Sequence, residues 1–269
     1  MFIFLLRRNM HQAAAALGAV TFAYCGFNIG HLNHVNFYTS TMLLPLLLLA
    51  IDAIVQKSTL ARATSLGLVA AAIAVSGQPQ VVLYVYIVAT IIGFAMLMQR
   101  WNTKAIYYTL YAGIVAFLLS AFALLPLKEF LPQTERSGGL IMEELFEFSY
   151  PAYNTITLIL PYFWGGHSDY SGPKGFQELA AYTGIVPLLL AGFALASWRS
   201  HKAEKIAGIV LVATGITLVL GKYSVVYQYL VANHFITTIG VVGRFVFFFD
   251  MGIILLASAG LHNILTNRN

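Results

Sequence analysis

The sequence is divided into apolar runs of membrane-spanning length, separated by short polar breaks, and this division limits the chain more than any other feature. A hydrocarbon core of about 30 Å needs roughly 20 apolar residues of helix at about 1.5 Å rise each. Eight such runs lie at 11–29, 37–55, 61–76, 80–98, 105–126, 178–197, 205–221 and 241–261. A soluble globule is excluded, because only 9% of the residues are charged and 59% are apolar, too few polar groups to cover a core in water. The reading is an all-α, polytopic transmembrane helix bundle, a single domain of about eight spans with a long external loop at 127–177. The third run is short and rich in small residues, Ala70, Ala71, Ala72 and Ala74, as suits a helix packed closely against its neighbours.

Basic residues set the orientation, since short cytoplasmic loops collect them. With a cytoplasmic N-terminus, Arg7, Arg8, Lys57, Arg62, Arg100, Lys104, Arg199, Lys202, Lys205 and Arg268 fall inside, and only Lys128, Arg136, Lys174, Lys222 and Arg244 fall outside. Both termini are then cytoplasmic. Scattered in this way, the positive charges offer no continuous face to nucleic acid. The single Cys25 can form no intrachain disulfide. The opening Met1–Leu6 is apolar but too short to span and is stopped by Arg7 and Arg8. It reads either as the tail of a longer helix truncated at its start or as a brief cytoplasmic lead-in.

Polar chemistry gathers on the external side. In the long loop, Ile141, Leu145 and Phe148 share one helical face and Glu143, Glu144 and Glu147 the other, so 141–148 is expected to lie on a surface as an amphipathic helix. Ile156–Trp164 is apolar but too short to cross, and is expected to rest at the interface. Grouped carboxylates beside a membrane are able to hold Mg²⁺ or Mn²⁺ against a phosphate, or are simply a solvated face. Glu135 and Arg136, before Ser137-Gly138-Gly139, are candidates for a polar ligand or for a loop ion pair.

Between the first two runs, His31 and His34 stand one helical turn apart, a spacing that permits a shared metal or phosphate, while Asn33 and Asn36 suit helix capping. Gln78 and Gln80 flank Pro79 and offer amides to sugar hydroxyls or to helix termini. Asp250 lies deep in the last run, where a charge costs roughly 2.5–3.5 kcal/mol, so it must look across to another helix or into a wet cavity. Arg244 stands about 240° round the helix from it, at about 100° per residue, and is placed at the interface for an anionic head group. Asp52, at a cytoplasmic end, is expected to reach water.

Five segments together resemble the bacterial YfhO-type membrane protein family of the GT-C class of glycosyltransferases: GFNIGHLNHVNFYTSTMLLPLLLLAID (26–52), SGQPQVVLYV (76–85), LPYFWGGHSDYSG (160–172), AYTGIVPLLLA (181–191) and GRFVFFFDMGIILLASAGL (243–261). The resemblance implies sugar transfer from a polyprenyl-phosphate carrier to a cell-envelope acceptor on the outer face of the bacterial cytoplasmic membrane, with membrane lipid and the lipid-linked donor as partners. It also implies an essential acid just after the family's first span, a region with no counterpart here. The external cavity would then be formed around His31, His34, Gln78, Gln80, Glu135, Arg136, Asp169 and Arg244, with Glu135 or Asp169 as the base and a cation or Arg steadying the leaving phosphate. The rival readings are a lipid or solute transporter or flippase, with Asp250 lining its path, and a non-catalytic membrane subunit. Topology is directly testable: with Cys25 replaced, cysteines at Asn33 and Lys202 are expected to react with an impermeant maleimide from opposite sides of the membrane, and same-side labelling would refute the alternation.

Overall fold

In the computed structural model, which describes residues 1–134, 139–166, 168–196, 198, 200–236 and 240–266, the described residues form helices and loops with no strand. Thirteen α-helices occur in chain order. They are α1 (Phe2–Arg7), α2 (Gln12–Tyr24), α3 (Gly26–Gly30), α4 (Val35–Met42), α5 (Leu44–Gln56), α6 (Leu60–Ser76), α7 (Pro79–Gln99), α8 (Thr103–Phe130), α9 (Met142–Leu145), α10 (Ile185–Ala196), α11 (Lys202–Val219), α12 (Val225–Ala232) and α13 (Val246–Thr266). Five stretches are long and apolar enough to cross a membrane: Gln12–Gly30, Val35–Gln56, Pro79–Gln99, Thr103–Gln133 and Val242–Thr266. Leu60–Ser76 and Ile185–Ala196 are shorter apolar helices, and α11 carries Lys202, Glu204 and Lys205 in its first turn.

Two of the expected continuous spans are broken. The first is interrupted by the extended backbone of Cys25, between α2 and α3, and the second at Leu43, ahead of Pro45 in the first turn of α5. The expected run 178–197 is helical only from Ile185. Gly184, with φ +97°, and Pro187 set that start, and 178–184 runs irregularly beside the first span. The amphipathic helix expected over 141–148 contracts to the four residues of α9, because Phe148 adopts a left-handed backbone (φ 59°).

The core is built around α13, buried along most of its length and wrapped by α2, α10 and α11. Such intimacy needs small residues where backbones meet. At Gly260, a Cβ would collide with the Leu190 carbonyl oxygen of α10. The small-residue reading of α6 holds in the same way: Gly67 lies against Ala112 and Val115 of α8, and Tyr86 of α7 donates its hydroxyl to the Ala70 carbonyl at 2.6 Å. Otherwise α8 is almost wholly exposed, presenting Leu110, Ile114, Phe117 and Phe122 outward as a lipid-facing helix would.

Polar side chains collect at the two ends of this bundle. At one end Arg8 links Asp52 (3.2 Å), Gln99 (2.7 Å) and Glu204, while Arg7 and Gln56 also hold Asp52 at 3.3 and 2.6 Å. Asp52 is therefore not the water-reaching side chain expected from its position: it is fully buried, and α1 folds back to place two arginines on it. The other end carries Gln80. From Gln80 to Gln99 along α7 is about 28 Å at 1.5 Å per residue, close to the thickness of a hydrocarbon core.

Replacing Gly260 by Leu is expected to lower the melting temperature in detergent by 10 °C or more, whereas Gly113→Ala and Gly192→Ala, where the space is open, should leave it unchanged or raise it by about 0.5–1 kcal/mol of stability. Thermal unfolding of the three variants measures both effects.

Candidate functional site at the Gln80 end

The site starts from the break in the first span. Ending α2 at Tyr24 and restarting at Gly26 frees backbone groups at a depth where water is scarce, and each must find a partner. The Phe22 carbonyl accepts from Asn28 Nδ2 at 2.6 Å, and Asn28 Oδ1 in turn accepts from Thr41 Oγ1 at 3.0 Å. The Phe27 amide donates to Asp250 Oδ2 at 3.2 Å, and the Gly26 amide donates to the Tyr182 carbonyl at 2.7 Å. Asp250 does look across to another helix, as its depth required. It serves the exposed amide of a broken helix, and its other oxygen has no partner. Gly26 is needed because a Cβ there would meet the backbone of Ala180 and, at 2.7 Å, the Tyr182 nitrogen. The absence of a side chain lets segment 177–184 lie against the break.

That segment carries Glu178, which the sequence placed at the start of a span and gave no role. Its carboxylate takes a two-pronged pair from Arg244, Nε to Oε2 at 3.0 Å and Nη2 to Oε1 at 3.1 Å, and a third contact from His31 Nε2 to Oε2 at 3.2 Å. The third prong of the guanidinium, Nη1, donates to Gln80 Oε1 at 3.0 Å. The Gln80 amide nitrogen donates to Tyr84 Oη at 2.9 Å and to the Gly240 carbonyl. His31 Nδ1 meets the Phe27 carbonyl at 2.8 Å, and its ring lies between Phe27 and Phe37, with centroids 4.4 and 5.1 Å away. Phe37 also stacks under the Arg244 guanidinium at 4.6 Å. Arg244 is brought into place by a turn at Val241, whose φ of 57° is rare for a β-branched residue, and by Gly243, whose missing Cβ would stand 2.8 Å from the Glu178 carbonyl oxygen.

The Glu178 carboxylate is a tie between distant segments. It joins the end of α3, the 177–184 segment, the turn before α13 and, through Arg244, the first turn of α7.

Several sequence candidates resolve differently. Arg244, expected to receive an anionic head group, has its guanidinium occupied by Glu178 and Gln80. His34 begins α4 and stacks on Phe37 at 5.1 Å, and His31 has both ring nitrogens engaged, so the pair does not share a metal. Gln78 caps α7, accepting from the Val81 amide at 2.9 Å. Asp169 accepts from the Gly166 amide at 2.7 Å inside a turn. Glu144 caps its own short helix and Glu147 pairs with Lys174 at 2.6 Å, and no group of three or more metal-ligating side chains occurs among the described residues. The described acids are therefore not grouped to hold Mg²⁺ or Mn²⁺. Glu135 and Arg136 lie outside the described residues.

Beside the tie, and sharing its chain neighbours Gly30, Gln177 and Leu179, is a partly open cavity of about 390 Å³. Asn33, expected to cap a helix, contributes to its wall. No protein-family model, curated protein or solved structure matches the chain.

Glu178→Gln would leave the mostly buried Arg244 guanidinium facing a neutral amide, and is expected to destabilise the protein by about 3 kcal/mol, part of which Glu178→Gln/Arg244→Gln recovers, as unfolding of the two variants in detergent measures.

Proposed function

We propose that this chain is a bacterial membrane protein of the glycosyltransferase-like GT-C type, working on a polyprenyl-phosphate-linked sugar at the outer face of the cytoplasmic membrane. The observation that carries the reading is convergence. The segments on which the resemblance to the YfhO-type family rests are far apart in the chain, yet His31 from the first, Gln80 and Tyr84 from the second and Arg244 from the last meet within hydrogen-bonding reach of one another or of Glu178. Tyr182, from the fourth, holds the Gly26 amide of the first. A junction of this kind beside a cavity at one end of the bundle is what an extracytoplasmic binding chamber needs.

The orientation follows from charge. Arg7, Arg8, Lys57, Arg62, Arg100, Lys104, Lys202 and Lys205 cluster towards the Asp52 end, which is the cytoplasmic one, with both termini there. Eight crossings are reached by adding α6, α10 and α11 to the five long stretches, with the irregular 178–184 covering the depth that the twelve residues of α10 leave uncrossed. Within this reading Glu178 and Arg244 are positioning residues that hold the chamber together, and the partners are membrane lipid and the lipid-linked donor.

A second reading, a transporter or flippase, is favoured by one observation: the first span is discontinuous and its break faces Asp250, as in proteins that carry substrates through the bilayer. Membranes containing the intact protein and supplied with radiolabelled polyprenyl-phospho-sugars separate the two. Sugar transfer that falls at least tenfold in Glu178→Gln and is unchanged in the exposed Glu143→Gln supports the glycosyltransferase reading. No transfer, together with Asp250-dependent flux in sealed vesicles, supports the transporter.

A further inference from the structure

The cavity beside the Glu178 tie is walled on one side by the end of the broken span and on the other by residues 154–182. Its aromatic residues are Tyr24, Tyr162, Tyr170, Phe176 and Tyr182, and its side-chain amides are Asn33, Asn154 and Gln177. None of the side chains that line it carries a formal charge. The ionic groups of the neighbouring junction point at one another and leave the cavity neutral.

One wall residue is anomalous. Asn154 is only 2% exposed, and its side-chain Oδ1 has no hydrogen-bond partner. Its backbone carbonyl accepts from Tyr150 Oη at 2.9 Å and Thr157 Oγ1 at 2.7 Å, and its side-chain amide also interacts with the Tyr150 hydroxyl, but Oδ1 is left without a partner. A buried amide oxygen without a partner costs on the order of 1–3 kcal/mol.

We propose that this cavity is a binding site for a neutral, hydroxyl-bearing sugar ring, with Asn154 supplying an acceptor to a ligand hydroxyl and the tyrosines supplying faces for its C–H surface. An anion is disfavoured because the lining offers no cation, and a purely apolar ligand would leave Asn154 unmatched. The ring belongs either to a free sugar or to the head of a lipid-linked one, and the two share this chemistry. The inference rests on the glycosyltransferase-like reading only for the choice of a sugar among neutral hydroxyl compounds.

The experiment uses the intact protein in nanodiscs free of glycolipid. Methyl glucoside, methyl galactoside, methyl N-acetylglucosaminide, a short-chain polyprenyl-phospho-glucose and inorganic phosphate are titrated separately by calorimetry. At least one glycoside or the lipid-linked sugar is expected to bind, with Asn154→Ala and Tyr162→Ala each weakening it tenfold or more and inorganic phosphate failing to compete. Binding of the free glycosides identifies a soluble sugar as the source, and binding of the lipid-linked form alone identifies the carrier. Melting temperature separates a ligand role from a structural one at Tyr162, which is largely exposed and whose replacement should leave the unliganded protein as stable as wild type. No binding of any sugar, or sugar binding indifferent to both substitutions, overturns the proposal. Sugar binding without transfer would remove the transferase reading and leave this site, whereas transfer unaffected by Asn154→Ala would do the reverse.

Discussion

A single carboxylate, Glu178, holds together the part of this protein where its chemistry is concentrated. It accepts from Arg244 twice and from His31 once, and through Arg244 it reaches Gln80, so one side chain ties segments that lie from 66 to 147 positions away in the chain. The interaction is strong for reasons that can be separated. Arg244 is a cation, its geometry with Glu178 is fork to fork, and the aromatic faces of Phe27 and Phe37 exclude water on the side where the charges would otherwise be screened. The same arrangement would be costly if one member were missing, which is why the site behaves as a unit.

The tie stabilises an otherwise unfavourable backbone. A spanning helix that breaks in the apolar zone exposes amides and carbonyls that cannot be left bare, and here the Phe22 carbonyl and the Phe27 and Gly26 amides find protein partners in Asn28, Asp250 and Tyr182. What the break gains is room: segment 177–184 enters beside it, and the cavity forms between them. At the far end of the bundle Arg8 does comparable work with Asp52 and Glu204, joining α1, α5 and α11. Apart from the hydrogen bonds at the break, the contacts between the two polar ends are mainly apolar or small-residue, so each end fixes its own loops while α13 keeps them in register.

Five of the eight apolar runs contain helices long and apolar enough to cross a membrane, because run length and hydropathy report directly on a bilayer, and sequence reasoning singled out His31, Gln80 and Arg244 because polar residues beside long apolar runs are conspicuous. It missed Glu178, although an acid opening an apolar run and an arginine opening another are a pair worth testing when each lacks a local partner. It could not see the breaks at Cys25 and Leu43, since hydropathy is indifferent to backbone conformation. Asp52 was misjudged for a similar reason: its position near a helix end suggested water, and only the return of α1 brings Arg7 and Arg8 onto it. Asn154 carried no local signal, because its character comes from the partner its side chain lacks.

Segment 177–184 folds back against the broken first span. A Cβ at Gly30 would stand 3.5 Å from that of Ala180, a separation suited to a disulfide. With Cys25 replaced by Ser, mild oxidation of Gly30→Cys/Ala180→Cys should give an intramolecular bond in most molecules, detected as a linked peptide by mass spectrometry. Two cysteines that stay open to maleimide after oxidation, with no linked peptide, would contradict the account.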